Sequence, residues 1–249
     1  MPLFQNALYA ASVATLDDPL PESAGEIAFA GRSNAGKSSA INTLASRRRL
    51  AFVSKSPGRT QMINFFALGE TRFLVDLPGY GYASVPGKIR SKWEKVLGGY
   101  LQGRRELRGM ALVMDIRHPF TDLDQRMIDF MRPTGIPIHV LLTKADKLAR
   151  VEALVRLKTL RGQLASLSPH YSAQLFSSLK RSGIDEAEAV FAGWLSLSPR
   201  GANHAESVQA PDEAKSARQR KPPNPSGRIG RRTDGIWKPE NKKPRAKGE

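Results

Sequence analysis

The run Gly31-Arg32-Ser33-Asn34-Ala35-Gly36-Lys37-Ser38, continued by Ser39, has the spacing G-x-x-x-x-G-K-[ST], and the chemistry it suits is phosphate binding. Two glycines let the backbone fold tightly enough for successive N–H groups to converge on phosphate oxygens. A helix that opens at once adds the positive end of its dipole. Lys37 supplies a point charge for β- and γ-phosphates, and the Ser38 hydroxyl is a ligand for Mg²⁺.

Thr143-Lys144-Ala145-Asp146 lies about 110 residues after this loop. A carboxylate at Asp146 can accept two hydrogen bonds, from guanine N1–H and from its exocyclic amine, and adenine offers no such pair. The Lys144 stem can lie over the base. Asp76-Leu77-Pro78-Gly79 ends an apolar run, where Asp76 can hold Mg²⁺ and the Gly79 N–H can reach a γ-phosphate. Alone, those four residues would read as a Pro-Gly turn. Thr60 offers a second hydroxyl to the metal, in a loop Ser54–Gln61 that also carries Gly58 and Arg59. Phe176-Ser177-Ser178-Leu179 follows the last apolar run, and its N–H groups could meet the guanine carbonyl.

These residues must be held at one edge of a sheet. Short apolar runs at Ile27–Ala30, Phe73–Val75, Met110–Asp115, Ile138–Leu142 and Leu175–Ser177 read as buried strands. Helices are predicted over 37–46, 87–102, 122–132, 147–165 and 184–196. Met62–Leu68 and Thr71–Val75 flank Gly69-Glu70 and predict an antiparallel hairpin. The alternation gives an α/β fold of the P-loop NTPase kind, a three-layer α/β/α arrangement on a six-stranded, mostly parallel sheet with one antiparallel hairpin strand.

Cys is absent from the 249 residues, which excludes disulfides, thiol catalysis and Cys-type metal sites. His118, His139, His170 and His204 are too scattered to suggest a helical metal pair. No apolar run approaches the roughly 20 residues needed to span a bilayer, so a cytoplasmic protein without a membrane partner is expected. The 39 basic against 23 acidic residues leave a net charge of +16, which favours a polyanionic partner. From Pro199 onward there are 13 basic and 6 acidic residues, many prolines and few aliphatics, the composition of a disordered tail. The expected organisation is an N-terminal segment 1–24, a nucleotide-binding domain 25–198 and a basic tail 199–249.

The ordered set GRSNAGKS, Thr60, DLPG, TKAD and SSL resembles the translation-factor-related small GTPases, within the TrmE-Era-EngA-EngB-septin-like class. Ser12-Val13-Ala14-Thr15-Leu16, Ser56-Pro57-Gly58-Arg59-Thr60-Gln61 and Asp76-Leu77-Pro78-Gly79-Tyr80-Gly81-Tyr82-Ala83 are similar to signatures of the EngB-type ribosome-biogenesis GTPases. The resemblance spans about residues 3–197. It implies Mg²⁺-dependent binding of GTP, hydrolysis to GDP, and a role in maturing the large ribosomal subunit, with an associated involvement in cell division and septation. Carried over residue by residue, Lys37 and Ser38 hold phosphate and metal, Thr60 senses the metal, Asp76 and Gly79 report the γ-phosphate, and Asp146 reads guanine.

Where many GTPases place Gln after the Asp-x-x-Gly glycine, this chain has Tyr80, so slow intrinsic turnover is expected. Gln61 lies in the other switch loop and is no substitute. In related GTPases without that Gln, an Asn at the place of Asn34 is associated with K⁺, which acts much like an arginine finger. Arg59 is a second candidate charge donor. Arg47, Arg48, Arg49 and Lys55, with Lys88, Arg90, Lys92 and Lys95 near Trp93, would form a docking surface for rRNA or ribosomal proteins beside the switches. The tail, with Trp237, could tether a polyanion. A monomer is expected, since no heptad pattern calls for a dimer. The alternative reading is an RNA-binding assembly chaperone for which GTP is mainly a structural ligand.

Overall fold

The computed structural model describes residues 3–15, 17–51, 62–69, 71–80 and 96–196. Gly58, Arg59, Thr60, Gln61 and Lys55, the run 81–95 with its lysines and Trp93, and the basic tail with Trp237 lie outside the described residues.

One sheet carries the fold. Its strands are β1 Leu8–Val13, β2 Gly25–Gly31, β3 Ile63–Ala67, β4 Arg72–Asp76, β5 Leu107–Asp115, β6 Ile138–Thr143 and β7 Tyr171–Leu175, ordered β1-β3-β4-β2-β5-β6-β7. β4, β2, β5, β6 and β7 are parallel, while β3 runs against both β4 and β1. The sheet therefore has seven strands rather than the expected six. The extra one is β1, an edge strand whose first three residues are exposed although Leu8–Ala11 is apolar, and the expected buried runs do not include it.

Side chains alternate across the strands and build a core on each face. On one face Ala28, Met110, Leu112 and Val140 meet the described helical residues 96–103 of α2, α3 (Asp122–Met131) and α4 (Arg150–Leu167). On the other, Ile27, Phe29, Val113 and Leu141 meet α1 (Lys37–Leu44) and α5 (Ile184–Leu195). β2 and β5 are buried along their whole lengths, as central strands of a covered parallel sheet must be.

The last strand ends at Leu175, before the predicted run 175–177 has properly begun. Its inward positions include the polar Gln174, satisfied by His139 on β6, and this polar pairing hides the strand from an apolar reading. The helix predicted from 147 starts at Arg150, because Ala145–Lys147 form a separate 3₁₀ turn. At the far end of β2, fully buried Glu26 accepts hydrogen bonds from Tyr100 and Arg104, anchoring the strand that leads into the phosphate loop. Burial and the neighbouring Glu26 carboxylate push the Tyr100 phenol well above its ordinary range.

Candidate functional site

β2 ends at Gly31 and α1 begins at Lys37, so Gly31–Ser38 turns over the C-terminal edge of the sheet. The turn requires left-handed backbone at Asn34, with φ 64°, and at Gly36, with φ 99°. A Cβ at Gly36 would also stand 3.3 Å from Thr143 Oγ1, so both conformation and space select glycine. The first N–H groups of α1 have no intrahelical partners and face the loop, which is the anion cradle that the spacing implies.

Asp76, the last residue of β4, pairs with Phe29 of β2 and so lies beside the loop. Its carboxylate is buried and accepts a hydrogen bond from Lys37 Nζ, forming an ion pair. The next residues stay alongside the loop. Leu77 N–H donates to Phe29 O at 3.0 Å, Tyr80 N–H to Gly31 O at 3.2 Å, and Ser33 N–H to Tyr80 O at 3.2 Å. Ser33 Oγ is buried without a hydrogen-bond partner among the described residues, and a Cβ on Gly79 would lie 3.4 Å from it. An orphaned hydroxyl between the loop and Gly79 fits an incoming phosphate oxygen. Asp76 and Ser38 present hard oxygen donors within one motif pair, a donor set that fits Mg²⁺.

Thr143 and Lys144 stitch the base-reading segment to the same loop. Thr143 Oγ1 donates to Ala35 O at 2.5 Å and contacts Met114 O at 3.0 Å. Lys144, left-handed at φ 58°, donates from Nζ to Asn34 O at 2.7 Å and to Asp115 Oδ2 at 2.8 Å. Asp146 follows in the 3₁₀ turn, where its Oδ1 accepts the Ser177 hydroxyl at 2.5 Å. Ala145 N–H donates to Phe176 O at 3.2 Å, and Lys180 N–H to Ser177 Oγ at 3.1 Å. Ser177 is buried while Leu179 is 71% exposed, so of the SSL run the first serine is the one built into the site.

Three acidic or amide residues take part that the motifs did not single out. Asp115, at the end of β5, holds Lys144 and also accepts from Arg117 Nε at 3.0 Å and Nη2 at 2.6 Å. Burial alone would raise the Asp115 carboxyl, but the bonds from Arg117 and Lys144 hold it well below the usual carboxylate range. Its signal was an acid closing an otherwise apolar strand. Asp124, fully buried, accepts from Tyr80 Oη at 2.8 Å and from Thr121 N and Oγ1 at 2.9 and 2.8 Å, with Arg32 Nε at 3.4 Å. Gln174 carries no motif signal at all. Of the predicted set, Gly31 to Ser39, Asp76 to Gly79, Thr143 to Asp146 and Ser177 to Leu179 come together on one sheet edge, whereas Gly58, Arg59 and Thr60 lie outside the described residues.

A family model described as a 50S ribosome-binding GTPase matches residues 26–144. The probable GTP-binding protein EngB of Dechloromonas aromatica is 57% identical over 199 residues, spanning 79% of this chain and 90% of that protein. Its counterpart in Nitrosomonas europaea is 59% identical over 195 residues, or 78% and 87% of the two chains. The one from Neisseria meningitidis is 53% identical over 208 residues, or 83% and 99%. Among solved structures, a probable GTP-binding protein EngB superposes with a TM-score of 0.56 at 20% identity, covering 69% of this chain and 98% of the other. Era of Aquifex aeolicus, bound to GDP and aluminium fluoride, gives 0.57 at 20% identity over 70% and 57%. These two likenesses establish the shared α/β P-loop fold. With identities above one half across nearly the full length of its relatives, the chain belongs to the EngB family of GTP-binding proteins and is a P-loop GTPase.

Proposed function

We propose that this GTPase is a Mg²⁺-dependent switch in the assembly of the large ribosomal subunit, acting in the cytoplasm as a monomer on rRNA and ribosomal proteins. Involvement in cell division and septation would follow from the supply of ribosomes. The observation that carries the switch is the Lys37–Asp76 ion pair: both residues are the ones a GTP-Mg²⁺ complex would claim. Bound nucleotide offers Lys37 a phosphate instead of a carboxylate and frees Asp76 for the metal side. Tyr80, next to Gly79, is tied by backbone bonds to Gly31 and Ser33 of the phosphate loop, which supports a response of this segment to nucleotide.

Ser38 and Asp76, with Thr60, would hold Mg²⁺, which when bound offsets phosphate charge. Lys37 and the loop N–H groups orient the phosphates and stabilise developing charge. Tyr80 commits its phenol to Asp124 and does not orient an attacking water, which supports slow intrinsic turnover. The Asn34 side chain is exposed and makes no hydrogen bond to the described residues; we assign it as the K⁺ ligand that would supply charge in place of an arginine finger.

The ribosomal reading is supported by the family model's description and by exposed Arg47, Arg48 and Arg49 just after α1. Phosphate contacts of this kind weaken steeply with salt. The test is co-sedimentation of the full chain with immature large subunits in a non-hydrolysable GTP analogue, in GDP and without nucleotide. Retention with the analogue alone, lost as salt rises, is expected. Equal retention in all three states would instead favour the assembly chaperone that uses GTP as a structural ligand.

A further inference from the structure

The loop that supplies Ser177 to Asp146 is short and closed at its base. Ser177 and Ser182 exchange both backbone hydrogen bonds at 3.1 Å, leaving residues 178–181 as the turn. Beneath that pair lies Gln174, with no exposed surface. Its amide nitrogen donates to Gly183 O at 2.6 Å and to Leu175 O at 3.3 Å, so it spans the two ends of the loop. The closure is tight. A Cβ on Gly183, which has φ 80°, would stand 2.3 Å from Leu175 O and 2.7 Å from the Gln174 amide nitrogen.

The other end of the Gln174 amide is also committed. Its Oε1 accepts from His139 Nε2 at 2.8 Å, and His139 Nδ1 meets Ser172 Oγ at 2.7 Å. With Gln174 Oε1 an acceptor, Nε2 carries the proton and Nδ1 accepts the serine hydroxyl. The imidazole is 2% exposed and rests edge-on against Phe191, with ring centroids 5.9 Å apart. Burial lowers its pKa, the Gln174 bond opposes that, and the Arg161 charge adds to the lowering, so the neutral ring is the stable one. The chain His139, Gln174, Gly183 is therefore fully hydrogen-bonded and rigid, and it ends at the loop that orients the guanine-reading carboxylate.

We propose that Gln174, braced by His139, is a positioning residue for guanine recognition: it fixes the span between Leu175 and Gly183 so that Ser177 can hold Asp146 Oδ1. The proposal rests on the reading of Asp146 as the acceptor for guanine. Gln174 touches no nucleotide and acts only through the loop. Deleting its donor leaves Gly183 O with the longer 3.3 Å bond from Ala187 N–H, removes the tie between Gly183 and Leu175, and lets the loop, and with it Asp146, drift from the base.

The test is titration of the full chain, as wild type, Gln174→Leu and His139→Phe, with GDP, IDP and ADP. GDP offers Asp146 two donors, IDP only the N1–H, and ADP neither, while all three carry the same diphosphate. In the wild type GDP binds tightest. In Gln174→Leu the preference for GDP over IDP falls by roughly threefold to tenfold, the worth of one or two well-placed hydrogen bonds, and ADP binding is unchanged. His139→Phe keeps the ring contact with Phe191 but removes the brace, and it moves the ratio the same way by less. If Gln174→Leu does not fold, His139→Phe decides. Equal weakening of all three nucleotides, or an unchanged ratio, overturns the positioning role. A wild type that does not distinguish GDP from IDP overturns the reading of Asp146 itself.

Discussion

The phenol of Tyr80 donates to Oδ1 of Asp124 at 2.8 Å across 44 positions of sequence, and both groups are buried. Burial, then the nearby Asp124 carboxylate, raises the phenol well above its ordinary range, so it remains a donor at every working pH. A side chain at the position after the Asp-x-x-Gly glycine here points into the core beside α3.

Tyr80→Gln is therefore expected to leave single-turnover GTP hydrolysis no faster than in the wild type, although it restores the amide found in many GTPases. Tyr80→Phe removes the bond to a charged acceptor and should cost about 1.5–3 kcal/mol in urea unfolding. An accelerated rate in Tyr80→Gln would contradict the inward orientation.

Asp115 is expected to act through Lys144. In Asp115→Ala the Lys144 ammonium keeps, among the described residues, only Asn34 O, so GDP affinity measured by calorimetry should fall about tenfold, while the unfolding midpoint in urea shifts modestly. Because the native carboxyl is held low, its contribution is present above the unfolded pKa of about 4 and is lost only as pH falls further. Unchanged affinity in Asp115→Ala would remove it from the site.

The phosphate loop and the TKAD segment were legible because their chemistry is local: glycines, a lysine and a carboxylate at set spacing. The central strands were legible because burial on both faces demands unbroken apolar runs. β1 escaped because it is an alanine-rich edge strand whose apolar Leu8, Tyr9 and Ala10 are exposed rather than buried, and β7 was misplaced because Gln174 spends its polarity on His139, 35 positions away. Gln174 was illegible as a site residue, and Asp115 showed only as an acid closing an apolar strand, for a related reason. Their partners, Lys144 and Gly183, are brought to them by sheet order or by loop closure rather than by a motif.

His139 gives the protein a pH-dependent stability with a definite sign. Its folded pKa is lowered, so the unfolded chain binds the proton more readily; the stabilisation is whole above the unfolded value of about 6.5 and declines as pH falls below it. Urea midpoints from pH 7.5 down to pH 5 should decrease in the wild type and decrease less in His139→Phe. Parallel slopes for the two proteins would assign the acid sensitivity elsewhere.

The central claim is that Asp146 and the loop Gly31–Ser38 grip opposite ends of one guanine nucleotide. Its most direct test is the nucleotide preference of Asp146→Asn, titrated with GDP and with xanthosine diphosphate. Xanthine presents N1–H and a carbonyl, which an amide matches with one acceptor and one donor. The account predicts that the variant loses GDP binding by a hundredfold or so, about 2.7 kcal/mol, and gains the xanthine nucleotide by a comparable factor. A variant that still binds GDP like the wild type and ignores xanthosine diphosphate would contradict it.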